Sequence, residues 1–442
     1  MGGFDSEAKA ADVYRIIEEA EKMKRMTKTI ALVLLLGSWQ MTTSFAGADV
    51  DSPRPASLTK EEWRQDLQYL AKELPRRHKN AFHTVSKSQF ERAIAELDAA
   101  IPSLQEHEIL VGLRRIIAMV GDAHTALSPP KTFNRYLLTL YWLGNDLRVL
   151  RTTAEYKRAL GTRVVGVGGL NLAEATARVN TLIPHENEQF LRYGNTGLLP
   201  LAEVLHALKI APDLKRAQWT FEDPEGKQFS LDMEAVAPDA KVEWLSTLKE
   251  VPLYRQRFNE LMWVTAPANS QSVYLNLKSY PDASTFKRVA EETFGLIDSS
   301  KSKRLVIDVR QSNGGDFIKF RSHLLKELKE RAAFRKPNSL FVIIGRGTIS
   351  AAMVSAIDAR REMKAILVGE PSGSKPNSYS ENDELTLPHS RLEVSYSTRY
   401  YKLQDNDTPS LMPDKLIEPV WKLYTAGRDP AIEWIFAQPL PD

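Results

Sequence analysis

Apolar residues recur every three or four positions through Glu61–Leu74, Lys87–Ile101 and Ile109–Met119, with Pro75 and Pro102-Ser103 in the gaps. That spacing lines up apolar side chains on one helical face, so it predicts three amphipathic helices packed against a neighbour. Between Tyr136 and Asp239 the pattern breaks into shorter pieces. Leu147–Leu150, Arg163–Val167 and Gln218–Phe221 read as strands, and Leu172–Val179 and Leu201–Leu208 as helices. Further on, Leu305–Val309, Leu340–Ile344 and Ala365–Val368 are short, β-branched and almost unbroken apolar runs, as expected of parallel strands covered on both faces. The helix-length segments Phe317–Ala333 and Ser350–Arg361 alternate with them. Strand, helix, strand, helix, strand predicts an α/β domain, α+β for the chain as a whole. The parts are expected at 1–48 (leader), 56–130 (helical domain), 131–250 (β/α insert) and 251–440 (α/β domain).

Each of the three parallel-type runs ends in a segment suited to chemistry, and such sheets place ligands at the carboxyl ends of their strands. The first leads into Arg310-Gln311-Ser312-Asn313-Gly314-Gly315, the second into Gly345-Arg346-Gly347-Thr348-Ile349-Ser350-Ala351, the third into Gly369-Glu370-Pro371-Ser372-Gly373-Ser374-Lys375. Ser350 falls where a strand has turned and a helix begins, so the Ala351 amide is a first-turn donor free to stabilise an oxyanion. Gly314 and Gly315 reach backbone geometries closed to other residues, which lets a second amide point to the same place. Serine, two amides and a nearby base are the parts of an acyl-transfer site. Taken singly, Ser350 reads more readily as an N-cap and the glycines as a loop; their joint placement reverses that preference.

Together these segments resemble the tail-specific, or C-terminal-processing, serine proteases. Their pattern D-x-R-x-N-x-G-G, T-x-S-A, G-E-x-T-x-G-K is similar to Asp308–Gly315, Thr348-Ile349-Ser350-Ala351 and Gly369–Lys375, and Met412-Pro413-Asp414 resembles the closing P-D element. The resemblance spans about Phe258 to Leu423. It implies a crotonase-like catalytic domain, Ser350 as nucleophile, Gly314, Gly315 and Ala351 as oxyanion donors, and a polypeptide substrate. Departures from the family include two beside the candidate catalytic residues. Met353 stands where the processing enzymes usually have an acid, and Lys375 is followed by Pro376 instead of glycine.

Two residues qualify as general base. Lys375 lies twenty-five residues after Ser350, the processing-protease interval. His124, in Asp122-Ala123-His124-Thr125, resembles the D-G-H-T element of tricorn-type members, where the histidine serves the serine. An ordinary imidazole accepts a proton at neutral pH, whereas a lysine must first be depressed by burial or a like charge. Chemistry favours His124 and spacing favours Lys375. Asp122 can orient the imidazole only if the fold bends it back. Residues Ala159–Leu170 faintly resemble the part of a PDZ domain that follows its groove, which in the processing proteases holds a substrate tail; a plain structural insert is the other possibility.

Other signatures fail. There is no G-x-S-x-G elbow, the S-x-x-K matches lack their companion motifs, and His185-Glu186-Asn187-Glu188-Gln189 lacks the second histidine of H-E-x-x-H. No P-loop occurs and no cysteine is present, so no cofactor or metal is expected. The net charge of +3 over 442 residues gathers into no basic face, which disfavours nucleic acid. Lys24, Arg25 and Lys28 precede the apolar run Ile30–Gly37 and two small-x-small sites, Ser44-Phe45-Ala46 and Ala46-Gly47-Ala48. That order predicts a secretory leader with a core too short to span a bilayer, hence an exported, periplasmic or secreted protein with no integral span after its removal. The charged Met1–Lys22 points to Met23 or Met26 as the start. The expected function is an exported serine endopeptidase acting on unfolded or C-terminally exposed polypeptides. A non-catalytic binding protein on the same fold and a small-ester or amide hydrolase remain as alternatives.

Overall fold

The computed structural model describes residues 58–442, so the leader and its cleavage sites lie outside the described residues. Helices α1 (Lys60–Arg77), α2 (Lys87–Ala100) and α3 (Glu106–Ala118) come first. A reciprocal cap starts α1: the Glu62 amide donates to Thr59 Oγ1 at 3.2 Å and the Thr59 amide to Glu62 Oε2 at 2.7 Å. The expected stop at Pro75 is wrong, because α1 runs through it to Arg77. Only one turn lies beyond the proline, and there His78 N reaches Leu74 O at 2.9 Å while Glu73 pairs with both Arg76 and Arg77. The apolar stripes of the three helices (Leu67, Leu70, Phe90, Ile109, Leu113, Ile117) are buried in one cluster.

That cluster continues into a second layer. After the short strand β1 (Ala126–Leu127) come β2 (Thr139–Leu143), β3 (Asp146–Thr152), β4 (Arg163–Val167), α4 (Leu172–Asn180), α5 (Glu188–Leu198), α6 (Ala202–Ala207), β5 (Arg216–Glu222) and β6 (Gln228–Val236). Strands β2 to β6 form an antiparallel sheet in sequence order, and Val149, Val164, Trp219 and Phe221 share the core of the helices.

The third part is an α/β sheet of β7 (Met262–Thr265), β8 (Ser272–Leu277), β9 (Arg304–Asp308), β10 (Leu340–Ile344), β11 (Ile366–Gly369) and, after the hairpin β12 (Asn377–Thr386) and β13 (Glu393–Lys402), β14 (Lys415–Leu416). Its order is β7-β8-β9-β10-β11-β14, parallel except for β7. Crossovers pass through α7 (Ala283–Ser300), a helical segment over 317–330 and α8 (Ala351–Met363). Sequential strand order with right-handed crossovers sends all three to the same face. The burial pattern agrees: Leu275, Ile307, Val342 and Leu367 pack under these helices, while the alternating Tyr274, Val306 and Phe341 pack under α9 (Pro430–Phe436). The predicted helix Phe317–Ala333 is interrupted by a π-turn at Arg321–Leu325 and ends at Glu330. Strand β1 joins β13 and β12 in a three-stranded sheet, which links the N-terminal helices to the third part.

Arg304, at the start of β9, is fully buried and donates to Asn338 O, Ile435 O, Gln438 O and Pro439 O, so one guanidinium fastens the end of the chain to the sheet. Replacing it by Leu leaves several carbonyls without a donor. Arg304→Leu should lower unfolding free energy by roughly 3 kcal/mol, read from the urea midpoint; an unchanged midpoint would show that these carbonyls find water instead.

Candidate active site

The loops that follow β9, β10 and β11 interlock at one edge of the sheet. Thr348 Oγ1 donates to Val309 O at 2.8 Å and accepts from the Gly345 amide at 2.9 Å. The Ile349 amide donates to Ser312 O at 3.0 Å, and the Ser350 amide to Ser374 Oγ at 3.1 Å. Held from both sides, Ser350 takes φ 54° and ψ −127° at the head of α8. For a residue with a Cβ this conformation costs about 1–3 kcal/mol and persists only where the surroundings impose it. Ser350 occupies the N-cap position, yet its side chain makes no capping bond. The simple N-cap alternative is therefore excluded, and the hydroxyl projects from a strained strand-to-helix turn.

The amide of Ala351 is the first of α8 and has no acceptor one turn back within the helix. Gly314, at φ 98°, backs onto it: a Cβ there would come within 2.8 Å of Ser350 Cβ and 2.9 Å of Ala351 N. Gly315, at φ 145°, has its own close neighbour, since a Cβ would lie 2.5 Å from Tyr280 Cβ. Of the expected site residues, the structure thus brings Ser350, Ala351 and Gly314 into direct contact, with Gly315 the next link. Met353, the departure from the family's acid, is buried in the core between α8 and the sheet, where a carboxylate would lack a partner.

The two candidate bases meet at the 374–380 segment, Lys375 as a member of it and His124 against Ser380. Lys375 Nζ donates to Asp407 Oδ2 at 2.8 Å and is partly exposed. A carboxylate partner is the opposite of the apolar or like-charged surroundings a lysine base requires. His124 Nε2 lies 3.2 Å from Ser380 Oγ on β12. Burial pulls its imidazole below the ordinary value, outweighing Asp122, Glu381 and the Tyr379 backbone, so His124 is neutral at neutral pH. Among the described residues, neither base is hydrogen-bonded to Ser350 Oγ. Asp122 does not bend back to the His124 ring. Its Oδ1 accepts from the His124 amide at 3.2 Å and from Ser397 Oγ at 2.6 Å, and its Oδ2 pairs with His78 Nε2 at 2.9 Å. Burial opposes ionisation of Asp122, but these hydrogen bonds hold its carboxyl below the usual range.

Three contributors were not singled out from sequence. Ser374 fixes the Ser350 amide; it stands inside the Gly369–Lys375 motif, beside the lysine that drew notice. Tyr280 donates to Ala351 O at 3.1 Å and, with its one proton so used, accepts from Ser355 Oγ at 2.6 Å, bracing the first turn of α8. Glu186 was visible only as part of a failed zinc pattern, and it lies against the His124 loop, accepting from the Ala123 amide at 3.0 Å.

No family model matches the chain, and no curated protein matches its sequence. Among solved structures, mature CPAF complexed with lactacystin superposes with TM-score 0.57 at 11% identity over 86% of this chain and 97% of that one. Mature CPAF alone gives TM-score 0.57 at 12% identity over 86% and 96%. The photosystem II D1 C-terminal processing protease aligns at 14% identity over 84% and 98%, with TM-score 0.39. The chain therefore has the α/β fold of mature CPAF along most of its length.

The contact of Gly314 with Ser350 and Ala351 leaves no room for a methyl group. Gly314→Ala should displace the Ser350–Ala351 turn and, if this edge is the reacting one, lower kcat about a hundredfold, while Tm falls only a few degrees. Equal activity of the variant and the wild type on an unfolded protein substrate would show that this edge is not the reacting one.

Proposed function

We propose that the chain is an exported serine peptidase of the tail-specific type. The observation that carries this assignment is the strained backbone of Ser350, which presents an uncapped hydroxyl beside a free helix-N-terminal amide and a glycine pair. The ordered motifs around it and the fold shared with mature CPAF support it. Ser350 Oγ attacks a peptide carbonyl. The developing oxyanion is held by the Ala351 amide and an amide of the Gly314-Gly315 pair, in the field of the α8 N-terminus. His124 takes the Ser350 proton, exchanging its Ser380 partner for Ser350 when substrate binds, and returns it to the leaving amine. Lys375, paired with Asp407, has an orienting or substrate-binding role. The leader pattern of Lys24–Ala48 supports export.

Hydrolysis of unfolded casein tests this directly. Ser350→Ala should abolish turnover without unfolding the protein, and Ser350→Gly should do the same while adding about 1 kcal/mol of stability. Glycine adopts φ 54°, ψ −127° without the Cβ penalty, as at the first central position of a type II′ turn. Turnover by folded Ser350→Ala at the wild-type rate would overturn the assignment.

A further inference from the structure

His107, on the first turn of α3, and His206, on α6, meet where the helical layer touches the antiparallel layer. Their facing nitrogens, His107 Nε2 and His206 Nδ1, stand 2.8 Å apart, and the ring centroids are separated by 5.0 Å at an interplanar angle of 52°. His107 is buried and His206 half-buried. Beside them Lys209 Nζ donates to Glu108 Oε1 at 2.5 Å, while Val204 and Leu205 share the core with Ile109 and Leu110. The proposed peptidase chemistry uses neither imidazole.

A hydrogen bond between two imidazoles needs an N–H on one facing nitrogen and a lone pair on the other. Neutral rings meet that condition, and so does a pair carrying one extra proton. Once both rings are protonated, two N–H groups and two positive charges confront each other across the same gap, and attraction becomes repulsion. We propose that the His107–His206 pair is an acid-sensitive joint between α3 and α6, which opens when both rings are protonated. The joint stands independently of the assignment of Ser350.

The surroundings set its sign. Burial, followed by the His206 ring, holds the His107 imidazole below its ordinary value; Glu108 opposes this and Lys209 adds to it. The N-terminal turn of α3 also disfavours a cation. An imidazole lowered in the folded state contributes stability that is complete above its unfolded value, about 6.5, and is lost as pH falls through the folded value. The other charged groups facing the joint do not share this behaviour. Burial opposes ionisation of Glu108, but the Gln105 amide and Lys209 hold its carboxyl below the usual range. The Arg216 and Lys215 amides likewise hold down Asp213, which feels the charge of His206. Glu203, on α6 itself, is pushed up by burial, so its protonation on acidification relieves a penalty and has the opposite sign. Arg178, donating to Leu208 O and Lys209 O, stays charged throughout.

Native-state hydrogen exchange of the folded chain, read by mass spectrometry, tests the joint. Protection of residues 202–208, corrected for the intrinsic pH dependence of exchange, is compared with that of α7 in the third part of the fold. From about pH 7.5 to about pH 5 this ratio should fall about tenfold in the wild type, the factor that one unit of imidazole shift is worth. His107→Gln keeps a donor near the Nε2 position and His206→Asn an acceptor near Nδ1, and neither variant has two rings to protonate. Each single variant, with folding confirmed by circular dichroism, should keep the ratio constant to within about twofold over the same range. A level ratio in the wild type, or an equal fall in either single variant, overturns the joint.

Discussion

The structure around the site depends on the backbone of Ser350 being held where a side-chain-bearing residue does not settle by itself. Two hydrogen bonds enforce it, from the Ile349 amide to Ser312 O and from the Ser350 amide to Ser374 Oγ. Each acceptor belongs to the loop after a neighbouring strand, so the turn is fixed only when β9, β10 and β11 stand in their parallel register. The strain of about 1–3 kcal/mol is offset by the burial of that sheet on both faces, where single side chains such as Ile307 or Phe341 contribute of similar size. The same clamp sets Gly314 against Ala351 and leaves the Ser350 hydroxyl uncapped.

The remaining groups reach this point from distant parts of the sequence. His124 arrives on the loop after α3, carried to β12 by the three-stranded sheet in which Ala126 pairs with Ser395. Asp122 locks that loop through His78 and Ser397, and so acts on the position of the backbone, with the ring left to another partner. Asn187 crosses from the antiparallel layer to the Ser372 loop. Helical layer, insert and parallel sheet thus each contribute a contact to one edge. In the proposed peptidase that arrangement makes the geometry of the base sensitive to packing far from the nucleophile.

Much of this was legible in the sequence where the cause is local. The three apolar runs appear as β9, β10 and β11 within a residue of their predicted bounds, because strands buried on both faces have no polar positions to blur the pattern. Ser350, Ala351 and the glycine pair were legible because strand ends and positive-φ turns restrict residue type. What escaped depends on tertiary contact. Pro75 failed to end α1 because the ion pairs of Glu73 support the last turn. The π-turn at Arg321–Leu325 lies inside an otherwise regular helical pattern. Ser374, Tyr280 and Glu186 act through partners that are 24, 71 and 63 residues away, and no spacing rule reveals such a pairing.

If Ser350 is an activated nucleophile, the folded protein should be open to covalent capture at that residue. The folded protein would be treated with a fluorophosphonate probe, digested, and the adduct located by tandem mass spectrometry. The expected result is one stoichiometric phosphonyl group on Ser350, absent after denaturation before labelling. A folded protein that takes up no probe, or one labelled at another serine with Ser350 unmodified, would contradict it.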